Sequence, residues 1–269
     1  MNNNVVPISR ARQLRRDDKT YLPPRVNPGV SRLVAGPRRQ HLEIGAEWQA
    51  LADRRLQVHY QPQYNLQTGE MESVEALIRL VDTNGLLIYP ERFIDPAENS
   101  NVIVPMTRMV FEQVCQDLEI WRSLGACVER VAINLSGRQL AGDRELLSYV
   151  DCLLVNHGLH YQDVEFELTE RQSLCTSDFG ADSLRELANR GSRIVLDDFG
   201  VGYSSILYLS ELPVSGFKID RSLVSRVGIN SRDSLIVEHM LHLAKDLDLS
   251  VVGEGIDNSI QKDILRVCS

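Results

Sequence analysis

From residue 45 onward, short apolar runs suited to strands alternate with longer stretches in which apolar residues recur three and four apart. The strand candidates are LQVHYQPQY (56–64), SVEALIRL (73–80), RVAINLS (130–136), VEFELTE (164–170), RIVLDDF (193–199), GFKID (216–220) and SVVGEG (250–255). Helical period marks most of the intervening segments, as in MTRMVFEQVCQDLEIWRSLG and SLIVEHMLHLAKDL. Such alternation needs crossover connections, so it predicts parallel strands in a closed α/β barrel or an open doubly wound sheet. The first two candidates depart from the rule. About eight residues, QTGE among them, separate these two runs, and so short a link permits only an antiparallel hairpin.

Polar side chains interrupt this pattern at or near the C-terminal ends of six strand candidates: Glu75, Asn134, Glu167 with Glu170, Asp197 with Asp198, Lys218, and Glu254. In a barrel these ends share one rim, which is where barrel enzymes build their sites, whereas an open sheet spreads them along an edge. Their convergence favours the barrel. The adjacent carboxylates of RIVLDDFG repel each other, and burying either is costly unless a cation or hydrogen-bond donors compensate. All-oxygen donor sets suit hard cations such as Mg²⁺ or Mn²⁺. Asp197 could bridge two such ions, and a two-ion site activates water and stabilises the attacking and leaving oxygens of displacement at phosphorus. Lys218 and Arg79 would then neutralise phosphate oxygens while Glu254 takes the proton of the attacking water. Singly, each residue has an ordinary structural explanation as a surface charge, a cap or a turn. Their succession at strand ends does not.

Composition adds bounds. The chain is 43% hydrophobic and 25% charged, as in ordinary globular proteins. No apolar run approaches the ~18 residues of a membrane span, and MNNNVVPISRARQLRR lacks the apolar stretch of a secretory signal, so a cytoplasmic location is expected. The five cysteines form no C-x-x-C pair, which suggests reduced, mostly buried thiols rather than a disulfide framework or zinc site. The pair His239 and His242 reads as structural. Charge is uneven: residues 1–40 hold nine Lys or Arg against two Asp, while the whole chain carries −8. Residues 1–44 are therefore expected to form a basic, flexible arm. It reads as a solvated leader or linker, with nucleic acid or an anionic membrane surface as the alternative partners.

The motifs YQPQYNLQTGEMESVEALIRL, FIDPAE, INLS, ELTE, DDFGVGYSS, KIDRSLV and GEGID stand in the order of the EAL-domain phosphodiesterases. Residues 45–269 resemble that family, whose members hydrolyse the bacterial second messenger cyclic di-GMP. The resemblance implies a modified TIM (β/α)8-type barrel with one antiparallel strand, two Mg²⁺ or Mn²⁺ ions, and cleavage of one phosphodiester to linear pGpG. By motif, Glu75, Asn134, Glu167 and Asp197 match ligands of one ion, and Asp197 and Asp198 match ligands of the second. Lys218 matches the lysine that holds catalytic water and phosphate, and Glu254 the general base. Gln61, Leu77 and Arg79 match substrate-contacting positions. Glu170 matches the glutamate that positions the loop after DDFG, a loop that resembles the family's dimer-coupled switch and carries the expectation of a homodimer.

Three departures qualify the match. Asp257 in GEGID replaces the usual glutamate and is one methylene shorter. No GGDEF-type segment is present. The sequence given stops at ILRVCS where the family pattern continues into a further strand and helix, so the barrel is expected to lack its closing strand, with activity weakened. The alternative to an active enzyme is a weak or inactive domain that binds cyclic di-GMP or a protein partner as a regulator.

Overall fold

The computed structural model describes residues 55–99, 102–169, 178–201 and 205–268. All seven predicted strands are present: β1 Leu56–Tyr64, β2 Met71–Val81, β4 Arg130–Asn134, β5 Val164–Thr169, β6 Arg193–Phe199, β7 Gly216–Ile219 and β8 Ser250–Gly253. One more, the two-residue β3 Leu87–Ile88, was not predicted. The helices are α1 Ile94–Asn99, α2 Ile103–Ser123, α3 Gly137–Gly142, α4 Leu146–Asn156, α5 Asp178–Asn189, α6 Ser205–Glu211, α7 Arg221–Val224, α8 Ser231–Asp246 and α9 Ser259–Cys268. The strands form one curled sheet in the order β1-β2-β4-β5-β6-β7-β8, with β3 against the outer part of β2. Strand β1 is antiparallel to β2, as the short link requires, and every pairing from β2 to β8 along that path is parallel. This is the modified (β/α) barrel architecture with one antiparallel strand along its path, and the short β3 is also antiparallel to β2. Among the described residues β1 pairs only with β2 and β8 only with β7, so the barrel is open between them.

The period-2 rule of strands separates the two faces of this sheet. Val74 and Ala76 of β2, Val131 and Ile133 of β4, Phe166 and Leu168 of β5, Ile194 and Leu196 of β6, and Phe217 and Ile219 of β7 all join one buried apolar cluster with helix residues such as Phe111, Val114, Leu154, Leu187 and Leu241. That is the outer, helix-covered face. Phe199 stacks on Phe217 with ring centroids 4.3 Å apart, and Tyr60 of β1 meets Trp121 of α2 edge-on at 4.8 Å while its hydroxyl donates to Asp117 at 2.6 Å. Each buried aromatic of this kind stabilises the fold by roughly 3–5 kcal/mol relative to alanine.

The alternate residues face inward and are largely polar. At the floor, Arg193 pairs with Glu165 at 3.0 Å and donates to the Ser215 carbonyl at 3.2 Å and to the Ser250 hydroxyl. Gly216 has no room for a side chain, since a Cβ there would lie 2.2 Å from the Ser250 hydroxyl oxygen, so this glycine sets how closely β7 and β8 approach.

The structure differs from the sequence expectations at two points. Among the described thiols Cys115 is buried, but Cys127 and Cys152 are exposed, one in the loop before β4 and the other on the solvent side of α4. Glu75 is the fifth of the eleven residues of β2, not a strand-end residue. The strand runs on past the sheet's mouth because it pairs with β1 along its whole length and then with β3. Residues 1–44, Glu170 and residues 202–204 of the loop after DDFG lie outside the described residues. Among the described residues no helix is long and apolar enough to cross a membrane.

Candidate metal and substrate site

Register brings the predicted residues together. Glu75 lies opposite Ala132, Asn134 opposite Glu167, and Thr169 opposite Asp197, while Gln61 faces Glu75 across the hairpin. Local capping holds the strand ends. Ser136 caps α3 in a reciprocal box with Gln139 two residues after Asn134, and Asp220 caps α7 two residues after Lys218 by accepting from Ser222 N–H. Caps of this kind satisfy helix-start donors and define where the chain turns. The Glu254 N–H donates to the Ile219 carbonyl at 3.1 Å, which continues the β7–β8 ladder past its last strand residue and sets Glu254 beside Lys218.

Lys218 is the centre of the cluster. Only 1% exposed, its ammonium lies 3.2 Å from Glu75, 3.2 Å from Glu167, 3.1 Å from Asp197 and 2.8 Å from Glu254. Burial works to discharge this lysine, but the carboxylates of Glu167, Glu75, Asp197 and Glu254 outweigh it and hold its pKa well above the ordinary value. Glu167 is fully buried, and burial, reinforced by Glu75, pushes its carboxyl well above the usual carboxylate range. Glu254 is raised too, first by burial, with Lys218 opposing. The Asn134 amide donates to the second oxygen of Glu75 at 3.2 Å.

Asp197 and Asp198 present a geometric difficulty, because neighbouring strand residues point to opposite faces. The chain resolves it with an irregularity: the β6–β7 register shifts between Leu196 and Phe199, and Asp198 adopts a left-handed backbone with φ +55°. Bulges re-aim side chains beside active sites, and a left-handed non-glycine residue costs about 1–2 kcal/mol. The result is that carboxylate oxygens of Asp197, Asp198 and Glu254 lie within 4.8 Å of one another.

The donor set fits hard cations. Four carboxylates surround one ammonium, and the Oε1 oxygen of Glu167 is buried without a hydrogen-bond partner. A buried carboxylate oxygen left bare costs roughly 1–3 kcal/mol or more, and divalent cations are the natural complement to oxygen donors.

A second tier extends outward along the hairpin. Leu77 faces His59 and Arg79 faces Gln57, on the same side as Glu75 and Gln61. Arg79 is 5% exposed, donates to the Ile78 carbonyl at 2.8 Å, and lies 5.1 Å from the centroid of the Tyr89 ring. His59 is also buried, its pKa lowered by burial and by Arg79. Neither His59 nor Tyr89 was among the sequence candidates. His59 was within reach of the period-2 rule applied back from Gln61, whereas Tyr89 depends on the unpredicted β3. At the far edge, Asp257 stands 3.7 Å from Arg221 with both side chains more than half exposed. Gly255, at φ +66°, leaves the space that the Arg221 side chain fills, since a Cβ would lie 2.4 Å from its Cγ.

A family-wide profile described as "EAL domain" matches residues 47–268. The chain belongs to the EAL domain family. Among curated relatives, the bifunctional diguanylate cyclase/cyclic di-GMP phosphodiesterase MucR of Pseudomonas aeruginosa is 36% identical over 217 residues, covering 81% of this chain and 32% of MucR. The cyclic di-GMP phosphodiesterase NbdA of the same organism is 35% identical over 228 residues, covering 84% of this chain and 29% of NbdA. The chain thus spans less than a third of the length of these relatives. The solved PaMucR phosphodiesterase in complex with c-di-GMP superposes with a TM-score of 0.77 at 34% identity, covering 84% of this chain and 92% of that one. These EAL relatives include proteins named as cyclic di-GMP phosphodiesterases.

Proposed function

We propose that this EAL domain hydrolyses cyclic di-GMP to linear pGpG with the help of two divalent cations, Mg²⁺ or Mn²⁺. The observation that carries the reading is the acidic mouth itself: Asp197, Asp198 and Glu254 within 4.8 Å of one another beside the buried, unpartnered Glu167 oxygen. Glu75, Asn134, Glu167 and Asp197 would hold one ion, and Asp197 and Asp198 the second. When bound, such ions lower the pKa of water and neutralise charge on a phosphoryl group.

The chain's own groups do the rest. Gln61, Leu77 and Arg79 hold substrate along the inward face of the hairpin, and Arg79 supplies positive charge to phosphate. Lys218, whose charged form the surrounding carboxylates favour, holds the attacking water and a phosphate oxygen. Glu254 accepts the water's proton. Its raised pKa supports that role, because a base works best when its pKa approaches the working pH. Glu170, outside the described residues, is proposed to position the loop after DDFG. A homodimer coupled through that loop belongs to the same proposal.

The test is incubation with cyclic di-GMP and Mg²⁺ or Mn²⁺ followed by chromatography. Appearance of pGpG supports the enzyme. Tight binding without product selects the regulatory reading instead, and neither binding nor product rejects both.

A further inference from the structure

Arg79 is long, charged and nearly buried, and its orientation is set from outside its own strand. The two residues of β3 pair with β2 at Leu80↔Ile88 and Val81↔Leu87. Continued by one residue, that antiparallel register sets Tyr89 opposite Arg79. Tyr89 is extended, at φ −86° and ψ 155°, and the chain turns immediately afterwards at Pro90–Arg92. Its ring therefore meets the guanidinium, with Cζ 5.1 Å from the ring centroid. Tyr89 itself is 50% exposed and is part of no buried apolar cluster among the described residues. A core-packing role does not account for it, whereas a contact with Arg79 does.

We propose that Tyr89 is a positioning residue for substrate: its ring holds the Arg79 guanidinium oriented at the outer tier of the site, ready for an anionic ligand. The inference rests on the reading of Arg79 as a substrate-binding residue. An arginine side chain loses rotamer freedom when it is ordered, so ordering it before the ligand arrives strengthens binding with no new ligand contact. The Ile78 carbonyl accepts from the guanidinium at 2.8 Å. His59, buried beside it, is held neutral by burial and by Arg79 and so adds no competing positive charge.

The experiment compares Tyr89→Leu, Tyr89→Phe, Arg79→Ala and the Tyr89→Leu/Arg79→Ala pair. Binding of cyclic di-GMP is measured by calorimetry in Ca²⁺, turnover is measured in Mg²⁺, and a thermal melt of each variant monitors the fold. Loss of the ring contact should raise Kd and KM roughly 3- to 10-fold, with kcat within about twofold of the parent. Tyr89→Phe, which keeps the ring, should bind like the parent, and Tyr89→Leu should add nothing in the Arg79→Ala background. If Arg79→Ala weakens binding while Tyr89→Leu does not, the positioning role is overturned and the reading of Arg79 stands. The role is equally overturned if Tyr89→Leu lowers kcat with KM unchanged, or weakens binding as much without Arg79 as with it. If Arg79→Ala binds like the parent, the reading of Arg79 fails and the inference fails with it.

Discussion

Replacing Lys218 by methionine tests the electrostatic account most directly. The side chain keeps its approximate length and loses its charge, so packing is little disturbed while the carboxylates of Glu75, Glu167, Asp197 and Glu254 lose the ammonium 2.8–3.2 Å away. Removing one partner of a buried ion pair costs about 3–5 kcal/mol. For a domain of this size each kcal/mol moves Tm by roughly 2–4 °C, so the ion-free variant should melt about 6–20 °C lower at neutral pH.

The sign of the pH dependence follows from the shifts. Lys218 is raised above its unfolded value of 10.5, so its contribution is fully present below that pH and is lost only in strong alkali, as pH rises through its folded value. Glu167 and Glu254 are raised above an unfolded value of 4.5, so the ion-free fold loses stability as pH climbs from there through their folded values. Lys218→Met removes a neighbour that lowers both, pushing them higher, so the deficit should be smaller at pH 5 than at pH 7.5. Mg²⁺ at a hundred times its Kd stabilises a folded protein by about 2.7 kcal/mol, and where a cation replaces the missing charge the variant should gain more from it than the parent. Melts in EDTA and in Mg²⁺ at both pH values provide the readout. A Tm within about 2 °C of the parent at pH 7.5 in EDTA would refute the reasoning, because the carboxylates would then not depend on Lys218.

Three more outcomes follow from the same geometry. Glu75→Ala and Asp197→Ala should abolish turnover and weaken cation binding in calorimetry, whereas Glu254→Gln should keep substrate affinity and lose about 10²- to 10⁴-fold in kcat; equal loss of affinity in all three would count against the separate roles. Asp198→Gly should remove turnover while raising Tm or leaving it unchanged, because glycine accepts φ +55° without the cost that aspartate bears, and a clear drop in Tm would contradict that account. Ca²⁺ should support binding but not turnover, since it takes more ligands at longer distances than Mg²⁺; comparable rates with the two ions would argue against a two-cation mechanism.

Much of this is legible in the amino-acid sequence alone. The alternation of period-2 and period-3.6 segments determined seven strands and the parallel direction of all but the first, and the short link between residues 64 and 73 determined the antiparallel hairpin, because local periodicity and link length depend on the chain alone. Glu75, Asn134, Glu167, Asp197, Lys218 and Glu254 stood out because a polar residue inside an apolar strand needs a partner. What those partners are is a long-range question, and only the tertiary structure answered it. Lys218 meets Glu75 across 143 positions of sequence, and no local pattern encodes that contact. The strand β3 was invisible because two residues carry no period, and with it went the placement of Tyr89 against Arg79. The sharing of one mouth by Asp197 and Asp198 contradicts strand alternation. It arises because the register slips between β6 and β7 and Asp198 turns left-handed, a local strain that the surrounding packed strands hold in place and that the sequence RIVLDDFG by itself does not impose.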